Sequence, residues 1–126
     1  MIVGIGTDLV TISRVRKACE KQSFLERIYT EQERAYARGQ AQSLAAMFAA
    51  KEAAAKALGT GFRGFDLCDV EVCHGELGEP RLRFHRGALR RCEELRVSRS
   101  HLSLTHEEDR ALAFVILEKE ELPCSC

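Results

Sequence analysis

Asp8, Glu52, Lys56 and His106 are the side chains of this sequence whose types and settings suit chemistry on a phosphate. Asp8 follows an apolar, glycine-containing run and is flanked by Ile5, Leu9 and Val10, where a carboxylate is costly unless a cation or hydrogen-bond donors meet it. A helix cap or a turn would meet that need as well as a ligand would. Glu52 lies in the middle of Phe48-Ala49-Ala50-Lys51-Glu52-Ala53-Ala54-Ala55-Lys56, and the alanines around it leave room for a ligand to approach the helix. Four residues separate Glu52 from Lys56, so both project from one helix face, either as a surface ion pair or as two groups turned to one ligand. Two carboxylates from different elements are what Mg²⁺ uses, because that ion keeps several waters and completes its octahedron with substrate phosphate oxygens. A lysine one turn further on would meet those phosphates as a point charge. His106 closes the alternating residues 101–106 just before a turn, a position from which an imidazole either hydrogen-bonds a phosphate or stands in solvent.

The elements that must position these groups can be read from the pattern around them. Residues 1–10, β-branched and glycine-rich, predict a buried first strand that ends near Thr7-Asp8. Ile12, Val15 and Cys19 then recur at helical spacing, with Thr11 or Ser13 placed to cap. Thr30 and Glu33 form a capping-box pair, so a short helix starts there, and Gly39 ends it. Residues 40–58 are alanine-rich and free of Pro and Gly, which predicts the strongest helix of the chain, stopped at Gly59-Thr60-Gly61. Residues 69–74 and 81–85 alternate around a turn, and residues 87–96 fit a helix. Residues 98–106 and 110–118 alternate around Glu107-Glu108-Asp109, giving a second hairpin. That order is an α+β fold, one domain over residues 1–126, with a mainly antiparallel sheet packed on the long Ala-rich helix.

The totals narrow the function. A chain of 126 residues builds one modest core, so a large ligand is expected in a surface cleft or at a subunit interface. Lys+Arg and Asp+Glu are both 19, so no overall field selects nucleic acid or an anionic membrane, and neither is expected as a partner. No apolar run approaches the length of a membrane span, and no signal segment is apparent at the N-terminus, which points to the cytoplasm. On that reading the six cysteines are reduced thiols. Cys68, Cys73 and His74 lack the paired C-x-x-C of a zinc knuckle, and Cys124-Ser125-Cys126 reads as a frayed tail.

Taken jointly, Gly4-Ile5-Gly6-Thr7-Asp8-Leu9-Val10, Phe48-Ala49-Ala50-Lys51-Glu52-Ala53 with Lys56-Ala57-Leu58-Gly59-Thr60-Gly61, and Ser103-Leu104-Thr105-His106 closely resemble the small bacterial holo-[acyl-carrier-protein] synthases of the 4'-phosphopantetheinyl transferase superfamily. The match runs nearly end to end and takes in Phe24, Arg27, Ile28, Thr30, Glu33 and the Gly78-Glu79-Pro80 turn. The resemblance implies a magnesium-dependent transferase of fatty acid biosynthesis. It would move the 4'-phosphopantetheine group from coenzyme A to a serine of apo acyl carrier protein and release 3',5'-ADP. It implies Asp8 and Glu52 as the Mg²⁺ ligands, Lys56 as a catalytic contact to the pyrophosphate, and Gly61, Thr105 and His106 as coenzyme A contacts. It further implies a homotrimer with sites at the subunit interfaces, and carrier-protein docking on the helix after the first strand, with Arg14, Lys21 and Arg27 as basic contacts. The local charge agrees: from Arg14 to Arg27 the basic residues Arg14, Arg16, Lys17, Lys21 and Arg27 outnumber Glu20 and Glu26, a patch that would steer an acidic carrier, although Arg16 and Lys17 also fit a solvated helix face. One departure stands out: the family has Gly-Arg before the F-A-A-K-E block and this chain has Ala46-Met47, so a basic contact to the nucleotide phosphates is missing or supplied elsewhere. A non-catalytic coenzyme A-binding module is the alternative that Met47 favours. A structural trimer, with Asp8 and Glu52 making only caps and salt bridges, is a third.

Overall fold

The computed structural model describes residues 1–121; the Cys124–Cys126 tail lies outside the described residues. The elements follow the chain as β1 (Ile2–Thr11), α1 (Ile12–Ala18), α2 (Gln22–Ile28), α3 (Glu31–Ala37), α4 (Ala41–Ala57), β2 (Val70–His74), β3 (Pro80–Phe84), α5 (Arg86–Leu95), β4 (Arg99–Glu107) and β5 (Arg110–Glu118). The class is α+β, as expected, and the strands form two antiparallel sheets: β1-β5-β4, and the β2-β3 hairpin.

Helix α4 occupies the centre because its composition allows it. It has no Gly, Pro or β-branched residue to weaken it, and its alanines let neighbouring backbones come close. Its buried residues lie around most of its circumference, as in a helix enclosed by its own domain. One side carries the sheet: Ala111, Ala113, Val115 and Leu117 of β5 are fully buried there. β1 approaches closest. A Cβ built on Gly6 would lie 1.8 Å from the carbonyl oxygen of Ala53, and one on Gly4 1.9 Å from that of Ala57, so only glycine fits where the strand crosses the helix. The strand does not stop near Thr7-Asp8 as the composition suggested; it pairs with β5 as far as Thr11 opposite Arg110, because the ladder, not the local run of apolar residues, sets its length.

Helix α1 also differs from expectation at its start. Neither Thr11 nor Ser13 caps it through its own side chain. Asp109, from the turn between β4 and β5, does so from a distance: its carbonyl accepts from the Ile12 N–H at 2.7 Å and its carboxylate from the Ser13 N–H at 3.0 Å and the Ser13 hydroxyl at 2.5 Å. The capping box of α3 forms as the sequence indicates, with Thr30 Oγ1 accepting from the Glu33 N–H and the Glu33 carboxylate accepting from the Thr30 N–H. α2 has no capping side chain and is only seven residues long, too short for a helical period to show.

A buried ion pair ties the helices to the hairpin. Lys51 and Glu33 are both fully buried and 2.7 Å apart. Lys51 Nζ also donates to the carbonyls of Leu67 and Val70, and Glu33 accepts from the Val72 N–H. With every donor and acceptor used, the pair locks α3, α4 and the start of β2 into one arrangement.

Candidate active site

Asp8 projects from the inner face of β1, the face that carries Gly4 and Gly6, and so meets α4 one turn from the close contact. Lys56 does not pair with Glu52. Its ammonium donates to Asp8 Oδ1 and to the Thr7 carbonyl, both at 3.0 Å, because the strand offers it two acceptors. Glu52 stands at the side of Asp8. Burial pushes its carboxyl pKa up, the neighbouring Asp8 charge adds to the rise, and Lys56 opposes it. Asp8 and Glu52 line one groove of about 430 Å³, whose walls are Leu9, Val15, Phe24 and Phe48 and whose margin carries Arg14. Two acidic side chains, 44 positions apart in sequence, therefore converge, as their types suggested.

Of the basic residues assigned to carrier docking, Arg14 lies at the groove and Arg27 beside Phe24, which lines it. Arg14 is exposed on α1 at the groove itself. Lys21 is exposed at the start of α2, and Arg27 is exposed in its last turn, with its guanidinium over the Phe24 ring at 5.9 Å. Phe24 in turn lines the groove, so the patch runs on from it.

The residues assigned to the nucleotide lie elsewhere in the chain. Thr105 and His106, near the end of β4, share a hollow of about 460 Å³ with Leu9 and Arg110. His106 also closes a cleft of about 500 Å³ bounded by α3, α4, the turn before β3, and β4. Neither hollow includes Asp8 or Glu52. Gly61 is exposed in the loop after α4 with φ +59° and lines none of these cavities. Met47, where a basic residue was expected, is 1% exposed and belongs to the core. Cys68 and Cys73 engage Asp69 and the Arg81 carbonyl, while His74 stacks on Tyr36. Among the described residues no group of three or more His, Cys, Asp or Glu side chains gathers to hold a metal ion, so Asp8 and Glu52 are a two-carboxylate set.

Three residues that shape the site escaped sequence reasoning. Gly6 sets the strand on the helix, Asp109 fixes the start of α1 and hence Arg14, and Lys51 anchors α4 from behind. Only the glycine left a signal: a Gly-x-Gly strand facing an alanine-rich helix is the pattern of two backbones in contact.

Two carboxylates therefore face one open groove, with the Lys56 ammonium bound to one of them. Comparison with known proteins identifies the family. The sequence profile of the 4'-phosphopantetheinyl transferase superfamily matches residues 4–115, and the chain belongs to that superfamily. It is 49% identical over 123 residues to a holo-[acyl-carrier-protein] synthase of Halorhodospira halophila, covering 93% of this chain and 98% of that one. Its fold superimposes on the holo-[acyl-carrier-protein] synthase of Neisseria meningitidis with a TM-score of 0.86 at 40% identity, covering 94% of this chain and all of the other. The synthase of Bacillus anthracis, solved with coenzyme A (3',5'-ADP), gives a TM-score of 0.79 at 36% identity, covering 95% and 99% of the two chains.

Proposed function

We propose that this chain transfers the 4'-phosphopantetheine group of coenzyme A to a serine of apo acyl carrier protein, giving holo carrier protein and 3',5'-ADP, in the cytoplasm and in the service of fatty acid biosynthesis. The observation that carries the reading is the convergence of Asp8 and Glu52 at one groove that has Arg14 at its margin, with the Lys56 ammonium bound to Asp8. In the reaction the serine oxygen forms a bond to the β-phosphorus of coenzyme A. The bond from that phosphorus to the bridging oxygen breaks, and its electron pair leaves on 3',5'-ADP. The serine proton passes to a base in the groove, either a water or a carboxylate such as Glu52. Lys56, exposed except where it meets Asp8 and Thr7, can turn its ammonium to the pyrophosphate as a positive contact.

The donor set fits Mg²⁺. Asp8 and Glu52 repel one another, Lys56 offsets that repulsion with only a single charge, and two carboxylates leave positions for waters and phosphate oxygens. Asp8 and Glu52 would hold the ion, which when bound supplies positive charge to the pyrophosphate in the transition state.

Assembly as a homotrimer, with each site shared between copies, is part of the proposal. The outer face of the β1-β5-β4 sheet leaves Ile5, Leu9 and Phe114 exposed side by side, an apolar surface suited to another copy. Leu9 also lines both the carboxylate groove and the hollow of Thr105 and His106, so a copy seated on this face would bring a second set of these residues near the first. Arg14, Lys21 and Arg27 would receive the acidic carrier.

Incubation with apo carrier protein and coenzyme A, read by the carrier's mass, tests the reading. The mass of phosphopantetheine should appear only with Mg²⁺ present, and Asp8→Ala or Glu52→Ala should abolish it. Normal turnover by either variant would overturn the metal assignment. Binding of 3',5'-ADP without any transfer would instead establish the second reading, a coenzyme A-binding module without turnover, which the presence of Met47 in place of a basic residue favours.

A further inference from the structure

Among the described residues, no lysine or arginine lines the cleft that His106 closes. Its walls are Tyr36 of α3, Gln42, Ser43 and Ala46 of α4, His74 of β2, Gly78 and Pro80 at the hairpin turn, and residues 102–104 and His106 of β4. A coenzyme A nucleotide carries a phosphate on its ribose, and a phosphate binds where charge or donors await it. The α4 position expected to be basic is filled by Met47, which is in the core. Among the residues that line it, those able to carry positive charge are His74 and His106.

His74 is the one built for the purpose. Its ring stacks on Tyr36 with centroids 3.8 Å apart and planes 8° from parallel, so its orientation is fixed. Tyr36 remains exposed, with ring area left for a base. His85 and His101 are committed to carboxylates, Glu71 and Glu118, whereas neither ring nitrogen of His74 bonds a protein group among the described residues. The charged groups that face it are few. Glu33 of α3 is bound to Lys51, and Glu79 before β3 to Arg81; α4 contributes no charge along the cleft, and β4 contributes His106.

Given the transferase reading above, we propose that His74 binds the ribose phosphate of coenzyme A in this chain, through a positive charge that depends on a proton. Burial lowers the His74 pKa below the usual histidine value, with Glu33 and Glu79 opposing, so the free ring is largely neutral at neutral pH. A phosphate beside it draws a proton on, and binding and proton uptake become one event.

The test is calorimetric titration of the wild-type protein with 3',5'-ADP and with 5'-AMP, from about pH 6 to about pH 8, in buffers of differing ionisation enthalpy. Affinity for 3',5'-ADP should fall as pH rises, by up to about tenfold per pH unit, the limit for one proton, while 5'-AMP shows no such slope. His74→Gln should weaken 3',5'-ADP binding at about pH 6 and flatten the profile, and His74→Lys should restore tight binding with no slope over this range. A wild-type protein that takes up no proton, equal slopes for the two nucleotides, or a His74→Gln protein with wild-type affinity and slope would each overturn the assignment. The transferase reading is judged separately, by carrier mass. Transfer with an unchanged His74→Gln profile sinks His74 alone, and the expected profile without transfer sinks the transferase alone.

Discussion

Substituting Gly6 with alanine would show whether the contact between β1 and α4 sets the geometry of the site. The new methyl carbon would lie 1.8 Å from the Ala53 carbonyl oxygen and 2.8 Å from its carbon. Both are backbone atoms of a buried helix and have no rotamer by which to move aside. To reach ordinary van der Waals separation the strand must lift from the helix by about 1.5 Å. Asp8 is the next residue on the same face of that strand, and Glu52 adjoins Ala53, so the lift parts the two carboxylates by a similar distance. Misplacement of about 1 Å in a catalytic constellation costs on the order of a hundredfold in rate, equivalent to about 2.7 kcal/mol. Overpacking removes a further ~1–3 kcal/mol of folding stability. Initial rates of phosphopantetheine transfer, measured well below the melting temperature alongside a thermal melt, separate the two effects. Gly39→Ala is the control: Gly39 has φ +74° with nothing near its Cβ and lies away from the groove, so it should lose about 1 kcal/mol of stability and keep turnover. A Gly6→Ala protein that folds and transfers within about threefold of wild type would refute the claim that this contact positions Asp8.

Three further outcomes follow from the same coordinates. Lys51→Met should cost about 3–5 kcal/mol in a denaturant titration, because it strands the buried Glu33 carboxylate, and adding Glu33→Gln should recover part of that; a loss below about 1 kcal/mol would show that the pair is not structural. In the absence of divalent cations, Glu52→Gln should be more stable than wild type at neutral pH, by no more than about 1 kcal/mol because the group is partly solvent-screened. The sign comes from the raised Glu52 pKa: the stability of the protonated form is complete below the ordinary glutamate pKa and is lost as pH rises through the raised one. The gap between variant and wild type should therefore close on acidification, and a variant less stable than wild type at neutral pH would contradict it. Arg14→Glu should raise the KM for carrier protein about tenfold at low salt, and less at high salt, with a smaller effect on the KM for coenzyme A; equal effects on both would remove α1 as the docking face.

Much of this arrangement was legible in the residues. Alternation gave both hairpins, the capping pair Thr30 and Glu33 gave the start of α3, and an uninterrupted alanine-rich run gave α4 almost to the residue. What escaped was non-local. The cap of α1 comes from Asp109, 96 positions from the Ser13 it holds, and no local pattern records such a pairing. The division of the strands into two sheets depends on how the chain wraps α4, which alternation alone does not encode. At the site, residue types identified Asp8 and Glu52, but the i, i+4 spacing that suggested a Glu52–Lys56 pair was outbid by the two oxygens that β1 presents to Lys56. The Gly4-Ile5-Gly6 run is informative as a statement about distance between two backbones.

That distance links the site to the proposed assembly. Bringing a strand onto a helix backbone requires glycine on one side and alanine on the other, and such residues bury little apolar area. A core whose central helix contributes Ala45, Ala49, Ala50, Ala53, Ala54, Ala55 and Ala57 gains less from folding than one built on leucine and phenylalanine. Three large side chains of β1 and β5 point the other way: Ile5 and Leu9 are each 56% exposed and Phe114 39%, because the pleat that turns the glycines and Asp8 inward must turn their neighbours outward. Placing Asp8 against α4 thus leaves an apolar sheet face uncovered. A second copy seated on that face, as proposed above, would recover burial that the thin core forgoes, so the proposed association would share its cause with the convergence of the carboxylates.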